Sequence, residues 1–465
     1  MLMSSIVRRT VVVLGFTLFA LALAAQETNA VWDSIAQDVL QRTGVPSASV
    51  AVVKDGKIVY AHAYGFANLE SKTGATPQMR YSIGSISKQF TAAALLLLQE
   101  QGKLSINDKV GKWVPGLTAG DKITIRQLLS HTSGYRDYWP QDYVMPGMMK
   151  PVTAQQIVND WAKIPLDFEP GTKWQYSNTN YVIAGMIVEK VAGESVVSFL
   201  HKKIFDPLGM KSVTNTDEAK LPPTDPTGYM RYALGPLHPA PKEGAGWMFA
   251  AGELAMTAED LAKWDVSVID RKILKPESYR AMETDVLLTS GVGTSYGLGV
   301  SVGQRNGHRY VSHDGEVSGF VAANAVFPDD RAAVVVLTNQ DAIGAASQIA
   351  ERIGDSFFEP AAGAGDQPTS EAKQIFLGLQ QGKIDRSLFT SNCNAYFDET
   401  ALKDYASSLS ALGKVQEFEL VRERLRGGMT NRTYRVRFES KSVGISSYWM
   451  PDGKIEQFIV APRND

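Results

Sequence analysis

A single cysteine, Cys393, stands in 465 residues, so neither an internal disulfide nor a site built on several thiolates is open to this chain. The histidines are His62, His131, His201, His238, His308 and His313, scattered and never in an H-E-x-x-H arrangement. A zinc hydrolase is therefore not expected, and no cofactor is implied. Positive charge is not in excess either: 47 Lys+Arg against 49 Asp+Glu leave a net charge of −2. That leaves little with which to neutralise phosphates, and no nucleic-acid partner is expected. The 40 glycines and 21 prolines are ordinary in number, which excludes collagen-like and wholly disordered chains. With 44% hydrophobic and 21% charged residues, the composition is that of a soluble globular protein. At roughly 150 residues per domain, the length suits two or three domains.

Long apolar runs are also missing, with one short exception. Arg8 and Arg9 precede the stretch Val11 to Ala25, about 15 residues against the roughly 20 that span a bilayer. Charge, a short apolar run and small residues around Ala22-Leu23-Ala24 read as a secretory signal peptide over residues 1–24 rather than a membrane anchor. No cysteine follows the run, as a lipoprotein anchor would need. The expectation is a protein exported to a bacterial periplasm or secreted, with no stable membrane anchor once the signal is removed.

After the signal, Val31, Ile35 and Val39 recur at helical spacing up to Gly44-Val45-Pro46, a stop signal. Ala48 to Lys54 and Lys57 to Tyr64 are β-rich and joined by Asp55-Gly56, which predicts a hairpin. From Ser85 to Gln101 the chain is helix-like and apolar nearly all round, hence buried on most sides. Helical patterns follow at Val152 to Ala162, Tyr181 to Val191 and Thr257 to Ile269, the last with Thr257 as N-cap. Strand patterns return at Gly297 to Val302, Gly319 to Phe327 and Ala332 to Asn339. Strands at both ends with helices between predict one antiparallel sheet in an α+β domain spanning residues 30–358. Residues 359–369, rich in Ala, Gly and Pro, read as a linker. Beyond it, 370–465 reads as a small α+β domain of unknown role. There Leu402, Tyr405, Ala406 and Leu409 make a helical face, and Tyr434, Val436 and Phe438 alternate as a strand.

Among residues able to do chemistry, Ser85 and Lys88 form an S-x-x-K arrangement at the start of the buried helix. Residues three apart share a helix face, so the Lys88 amine can reach the Ser85 hydroxyl. The helix N-terminus favours a developing oxyanion, and burial would lower the lysine pKa. Alone the pattern is weak, since it arises by chance roughly once or twice in a chain of this composition. A second copy, Ser370 to Lys373, looks like a helix start with Ser370 as N-cap. Gly293 to Gly297 matches G-x-S-x-G, the nucleophile elbow, but that elbow must turn from strand to helix, and strand-like residues follow it here. Tyr176-Ser177-Asn178 supplies a phenol and an amide in a polar loop before a helix. A phenol beside an ammonium can exchange protons with a serine. His313-Asp314-Gly315 precedes a strand, and its glycine would let the backbone approach a substrate closely.

Taken together, Ser85/Lys88, Tyr176/Asn178 and His313/Gly315 resemble, in chain order, the S-x-x-K, Y-x-N and H-x-G signature of the serine β-lactamase and penicillin-binding superfamily. The resemblance is to its class C β-lactamase-like branch, which also holds D-alanyl-D-alanine carboxypeptidases, D-aminopeptidases and family VIII-type esterases. Leu128 to Gly134 and Tyr296 to Gly299 resemble further segments of that branch. The resemblance implies an antiparallel sheet flanked by helices plus an all-helical subdomain. It also implies Ser85 as nucleophile, Lys88 as its partner and base, and Tyr176 as relay to the leaving group. Asn178 would bind the acyl chain or hold Lys88, and the N–H groups of Ser85 and Glu316 would form the oxyanion hole. Either Lys88 or Tyr176 could be the base, since the two titrate as a pair. His131 is expected to pack or cap locally.

His313 stands where many members carry a lysine. A histidine is mostly neutral at pH 7.4, so carboxylate recognition is less assured, and esterase or D-peptidase activity is expected ahead of efficient β-lactamase activity. The partner would be a small-molecule or peptide substrate whose amide, ester or β-lactam carbonyl is attacked. The rival is a binding or sensing protein on the same fold, acylated slowly or not at all.

Overall fold

Two valine-rich runs form the middle of the main sheet. In β1 (Ser47–Lys54) Val50 and Val52 enter one core while Ala51 and Val53 enter another. In β6 (Ala332–Thr338) Val334 and Val336 pack with the first pair, and Ala333, Val335 and Leu337 with the second. A strand with alternate residues in two cores must be covered on both faces, which is why these runs read as continuously apolar. The computed structural model describes residues 29–358 and 366–463, apart from 142, 234, 427, 428 and 440. The signal peptide expected over 1–24 and the linker residues 359–365 lie outside that set. By its internal contacts the chain parts into two units between Phe357 and Phe358.

In the first unit, β1 is flanked by β2 (Lys57–Asn68) and β6. Beyond β6 come β5 (Phe320–Phe327), β4 (His308–Val317) and β3 (Ser301–Arg305), all antiparallel, with the short segment Thr73–Gly74 on the opposite edge. Asp55 and Gly56 both take positive φ, 52° and 71°, as a two-residue hairpin turn requires. One face of the sheet is covered by α1 (residues 29–43) and α5 (Ala345–Asp355). Trp32, Ile35, Ala36 and Val39 form the buried stripe of α1, and Val31, expected in it, is exposed. The stripe is centred between Ile35 and Ala36, which turns Val31 away from it.

The other face carries the helical region, including α2 (Ser87–Glu100), α3 (Asn178–Ala192) and α4 (Ala258–Ile269). Residues Gly84–Ile86 form a 3₁₀ turn ahead of α2. Phe90, Ala93, Ala94 and Leu96 of α2 are fully buried, and Gly102 ends the segment with φ +70°. Thr257 caps α4 by accepting the Asp260 N–H.

Three local expectations need correction. Of the strand expected at Gly297 to Val302, only the last two residues belong to β3; Gly299 takes φ +78°, which no extended strand accommodates. The stretch His313-Asp314-Gly315 lies within β4 rather than ahead of a strand. Its polar residues mask a regular alternation in which Val311, His313, Gly315 and Val317 point inward. In the second unit, helix α6 (Asp366–Gln380) starts inside the expected linker, so Ser370 is within the helix and caps nothing. Pro368, read as a linker residue, is tolerated in a helix's first turn.

The second unit is an α+β domain with its own core. Four antiparallel strands, β7 (Glu417–Arg426), β8 (Met429–Arg437), β9 (Ser442–Trp449) and β10 (Ile455–Arg463), pair in sequence order. With them go α6 and α7 (Glu399–Ser410). Phe376, Phe397, Tyr434, Val436 and Phe458 are central to that core, and Cys393 is buried in it.

Candidate active site

The site grows from the junction of α2 with β4. Gly84, at φ +50°, bends the chain so that Ser85 sits in the turn just before α2. Lys88, in the first turn of the helix, is fully buried. Its Nζ is hydrogen-bonded to Ser85 Oγ at 2.8 Å and donates to the Ala251 carbonyl at 2.7 Å. Burial pulls the Lys88 ammonium down to about 7, against the opposing pull of the Asp137 carboxylate. Near neutral pH much of it is therefore free amine, a form that can accept a proton.

Tyr176, in the loop before α3, is shifted the other way. Burial holds its phenol above the ordinary tyrosine range, and a hydrogen bond with Ser85 offsets this only in part. Lys88 Nζ lies 5.0 Å from the centre of the Tyr176 ring and 5.4 Å from that of Tyr181. Ser85 thus has a proton-poor amine on one side and a proton-rich phenol on the other. Two groups whose surroundings drive their pKa values apart are suited to base and acid roles.

His313 and Gly315 stand on β4, facing the serine turn. The His313 Nδ1 is 2.6 Å from the Asp314 carbonyl, which can only accept, so Nδ1 carries the proton and Nε2 accepts from the Tyr296 hydroxyl at 2.8 Å. Burial, reinforced by the charge of Lys88, brings His313 down to about 3. It is neutral, with both ring nitrogens engaged. A Cβ on Gly315 would lie 1.9 Å from the Ile83 carbonyl oxygen and 3.2 Å from Ser85 N. The bare backbone is what lets strand and turn meet. Asn178 opens α3, and its Nδ2 donates to Asp137 Oδ1 at 3.2 Å while its backbone N–H donates to the same oxygen at 2.9 Å. Glu316 accepts the Ala342 N–H at 2.8 Å.

A cavity of about 960 Å³ opens over these groups, lined by Ser85, Tyr176, Asn178, His313, Gly315 and Glu316. All seven residues singled out in the sequence thus meet at one place, with Lys88 behind Ser85. Sequence reasoning gave no site role to several lining residues, notably Asp137, Trp174, Tyr296, Asp314 and Asp341. Asp137 had a faint signal, an acid inside the aromatic run Tyr135 to Trp139. Its burial raises its carboxyl above the usual range, opposed by N–H donation from Asn178 and Trp139 and by Lys88. The second S-x-x-K copy lies on α6 in the other unit. The G-x-S-x-G segment is followed by bends and then β3, with no helix to make an elbow. Among the described residues no cluster of His, Cys, Asp and Glu could hold a metal.

A family model described as Beta-lactamase matches residues 32–355. The chain is similar to a D-aminopeptidase of Brucella anthropi, 30% identical over 312 residues, which are 66% of this chain and 58% of that protein. It therefore spans less than two thirds of that relative's length. Among solved structures it is similar to a D-stereospecific amidohydrolase from Streptomyces sp., with TM-score 0.59 and 29% identity over 68% of this chain and 96% of that one. It is also similar to a D-amino acid amidase from Ochrobactrum anthropi SV3, with TM-score 0.65 and 25% identity over 71% and 99% of the two chains.

Proposed function

The chain belongs to the β-lactamase family of serine hydrolases, and from that premise we propose that it hydrolyses amide or peptide bonds in small substrates bearing a free amino group, through an acyl-enzyme on Ser85. The observation that carries the proposal is the placement of Ser85 Oγ between Lys88, much of which burial leaves as free amine near neutral pH, and Tyr176, which burial keeps protonated. Ser85 Oγ attacks the substrate carbonyl carbon as its proton passes to the Lys88 amine. The negative oxygen that forms is met by the N–H groups of Ser85 and Glu316. As the carbon–nitrogen bond breaks, Tyr176 gives its proton to the leaving nitrogen and is reprotonated from Lys88. Water then attacks the ester with the same groups in reverse order, releasing the acid and restoring Ser85.

Substrate charge follows from the lining. The described residues around the cavity include Asp137, Asp314, Glu316 and Asp341 and neither lysine nor arginine, while His313 is neutral. Such a field favours an ammonium and disfavours a carboxylate, supporting an aminopeptidase or amidase over a carboxypeptidase or β-lactamase. The names of the similar D-aminopeptidase and D-amino acid amidase support α-amino amides of D configuration as the class. The Arg8-Arg9 and Val11 to Ala25 pattern supports export to a periplasm or the medium.

The test is intact mass of the protein and its Ser85→Ala variant after exposure to a serine-reactive fluorophosphonate, followed by turnover of D-alanine p-nitroanilide. One adduct on the wild type and none on the variant, with repeated release of p-nitroaniline, is the expected result. An adduct without turnover would favour the binding or sensing alternative, and equal labelling of both proteins would remove Ser85 as nucleophile.

A further inference from the structure

The geometry points to His131 as the positioning residue for Tyr176, a role that rests on the acyl-enzyme reading above: its carbonyl and its imidazole hold the backbone on either side of the tyrosine while its ring supports the phenol ring. The His131 carbonyl accepts the N–H of Gln175 at 3.0 Å. Its Nδ1 accepts the N–H of Ser177 at 3.1 Å. Between these two anchors its ring lies 4.3 Å from the Tyr176 ring, centre to centre, at a tilt of 34°. Residues 175, 176 and 177 are thus each touched by one side chain and its own backbone. His131 does not line the cavity, so it acts on the reaction only through the tyrosine.

Two unfavourable features at His131 show that filling space is not its task. Its backbone is left-handed, φ 59°, a conformation that costs an ordinary residue roughly 1–2 kcal/mol. A backbone N–H only donates, so Nδ1 holds a lone pair and the ring proton sits on Nε2. Nε2 finds no hydrogen-bond partner among the described residues although the side chain is fully buried. Around the ring stand Tyr181 at 5.3 Å, Tyr296 at 5.0 Å and Trp174 at 6.1 Å, with Asn180 Nδ2 3.4 Å from Nδ1. A phenylalanine would fill the space without an orphaned donor but would strip Ser177 of its acceptor. An asparagine would tolerate the left-handed backbone and offer the acceptor, yet would leave nothing under the phenol. Only histidine combines a flat ring with an acceptor at the δ position.

The test separates a proton-donor defect from general damage. Tyr176 matters most when the leaving group needs a proton, so D-alanine p-nitroanilide is compared with p-nitrophenyl acetate, whose phenolate leaves unprotonated. His131→Phe is expected to lower kcat for the anilide by about tenfold or more, with less effect on the acetate. KM for the anilide should stay within about twofold, and His131→Asn should recover part of the loss. In a Tyr176→Phe background, His131→Phe should cost nothing further. Equal slowing of both substrates, or the same loss with and without Tyr176, would overturn the assignment. If His131→Phe does not fold, His131→Asn carries the same cycle. A wild type that turns over neither substrate, or a Ser85→Ala variant that keeps the activity, removes the acyl-enzyme reading and this role with it. A failed cycle on an active wild type removes the His131 role alone.

Discussion

Gly84 and Gly315 lie where neither leaves room for a side chain: a Cβ on Gly84 would fall 2.8 Å from Glu316 N, and one on Gly315 would fall 1.9 Å from the Ile83 carbonyl oxygen. The turn that carries the nucleophile and the strand that forms the opposite wall touch backbone to backbone. The two proposed oxyanion donors, Ser85 N–H and Glu316 N–H, are spaced by that contact. Gly315→Ala is therefore expected to push turn and strand apart. Overpacking of this kind costs about 1–3 kcal/mol, and fluorophosphonate labelling of Ser85 should fall by roughly tenfold or more if one oxyanion donor is displaced. Unchanged labelling in a folded variant would show that the hole does not depend on this contact.

The pH dependence of turnover should follow Lys88. Its amine must be free to take the serine proton, and burial sets it at about 7. Below that value log(kcat/KM) for D-alanine p-nitroanilide should fall by about one unit per pH unit. Above it the rate should level off and then fall as the substrate's own α-amine loses its proton near about pH 8, while Tyr176, whose phenol burial raises past the ordinary tyrosine value, stays protonated. A limb breaking near pH 4 would instead mark a carboxylate as the base.

The same buried amine carries a stability cost. Lys88 moves from 10.5 to about 7 on folding, so between those values the unfolded chain holds a proton that the native chain has released. Its contribution to stability then rises with pH through the window and is least favourable below about pH 7. Lys88→Met, inactive by design, should be more stable than the wild type, and by a wider margin near pH 6 than near pH 10. Thermal midpoints of both proteins at the two pH values decide the point; equal margins would contradict the direction of the shift.

The layered sheet was legible in outline because it depends on alternation and turn chemistry. The Asp55-Gly56 hairpin and the valine runs of β1 and β6 are local signals, readable without knowing the partners. At β4 that reading failed, since Ser312, Asp314 and Glu316 alternate with the buried residues and supply polar residues that look like loop. It failed again at Gly299, where a left-handed glycine ends a run of strand-forming residues. In the site, Ser85, Lys88, Tyr176 and Asn178 were visible because their spacing along the chain is fixed by a helix turn or a short loop. The roles of Asp137 and Tyr296 were not, because they depend on contacts with Asn178 and His313 that no local spacing fixes.

Substrate charge has its own signature. If the carboxylates around the cavity attract an ammonium, KM for D-alanine p-nitroanilide should rise with ionic strength, by about threefold or more between 20 mM and 500 mM salt. The N-acetylated analogue, which lacks the charge, should bind more weakly at low salt and show little salt dependence. A KM that ignores salt for both compounds would argue against electrostatic recognition.

In the second unit, burial pushes the Cys393 thiol up to about 11, and its side chain is packed in the core. Reactivity follows the thiolate. The folded protein should therefore resist iodoacetamide at pH 7.5 and label only when unfolded in denaturant. Rapid labelling of the native chain would show this core to be open to solvent.

The sheet places an order of events on synthesis. Strand β1 is complete by Lys54, yet one of its two neighbours is β6, with Ala48 opposite Thr338 and the Ser47 N–H bound to Asn339 at 2.8 Å. The serine, lysine and tyrosine are all polymerised long before β4 supplies the facing wall. Until those late strands arrive, the nucleophile has no opposing backbone and β1 has an unpaired edge. Such distant pairing makes closure slow, and it delays catalysis until nearly the whole first unit exists. A nascent chain is consequently without a complete site until the first unit finishes folding.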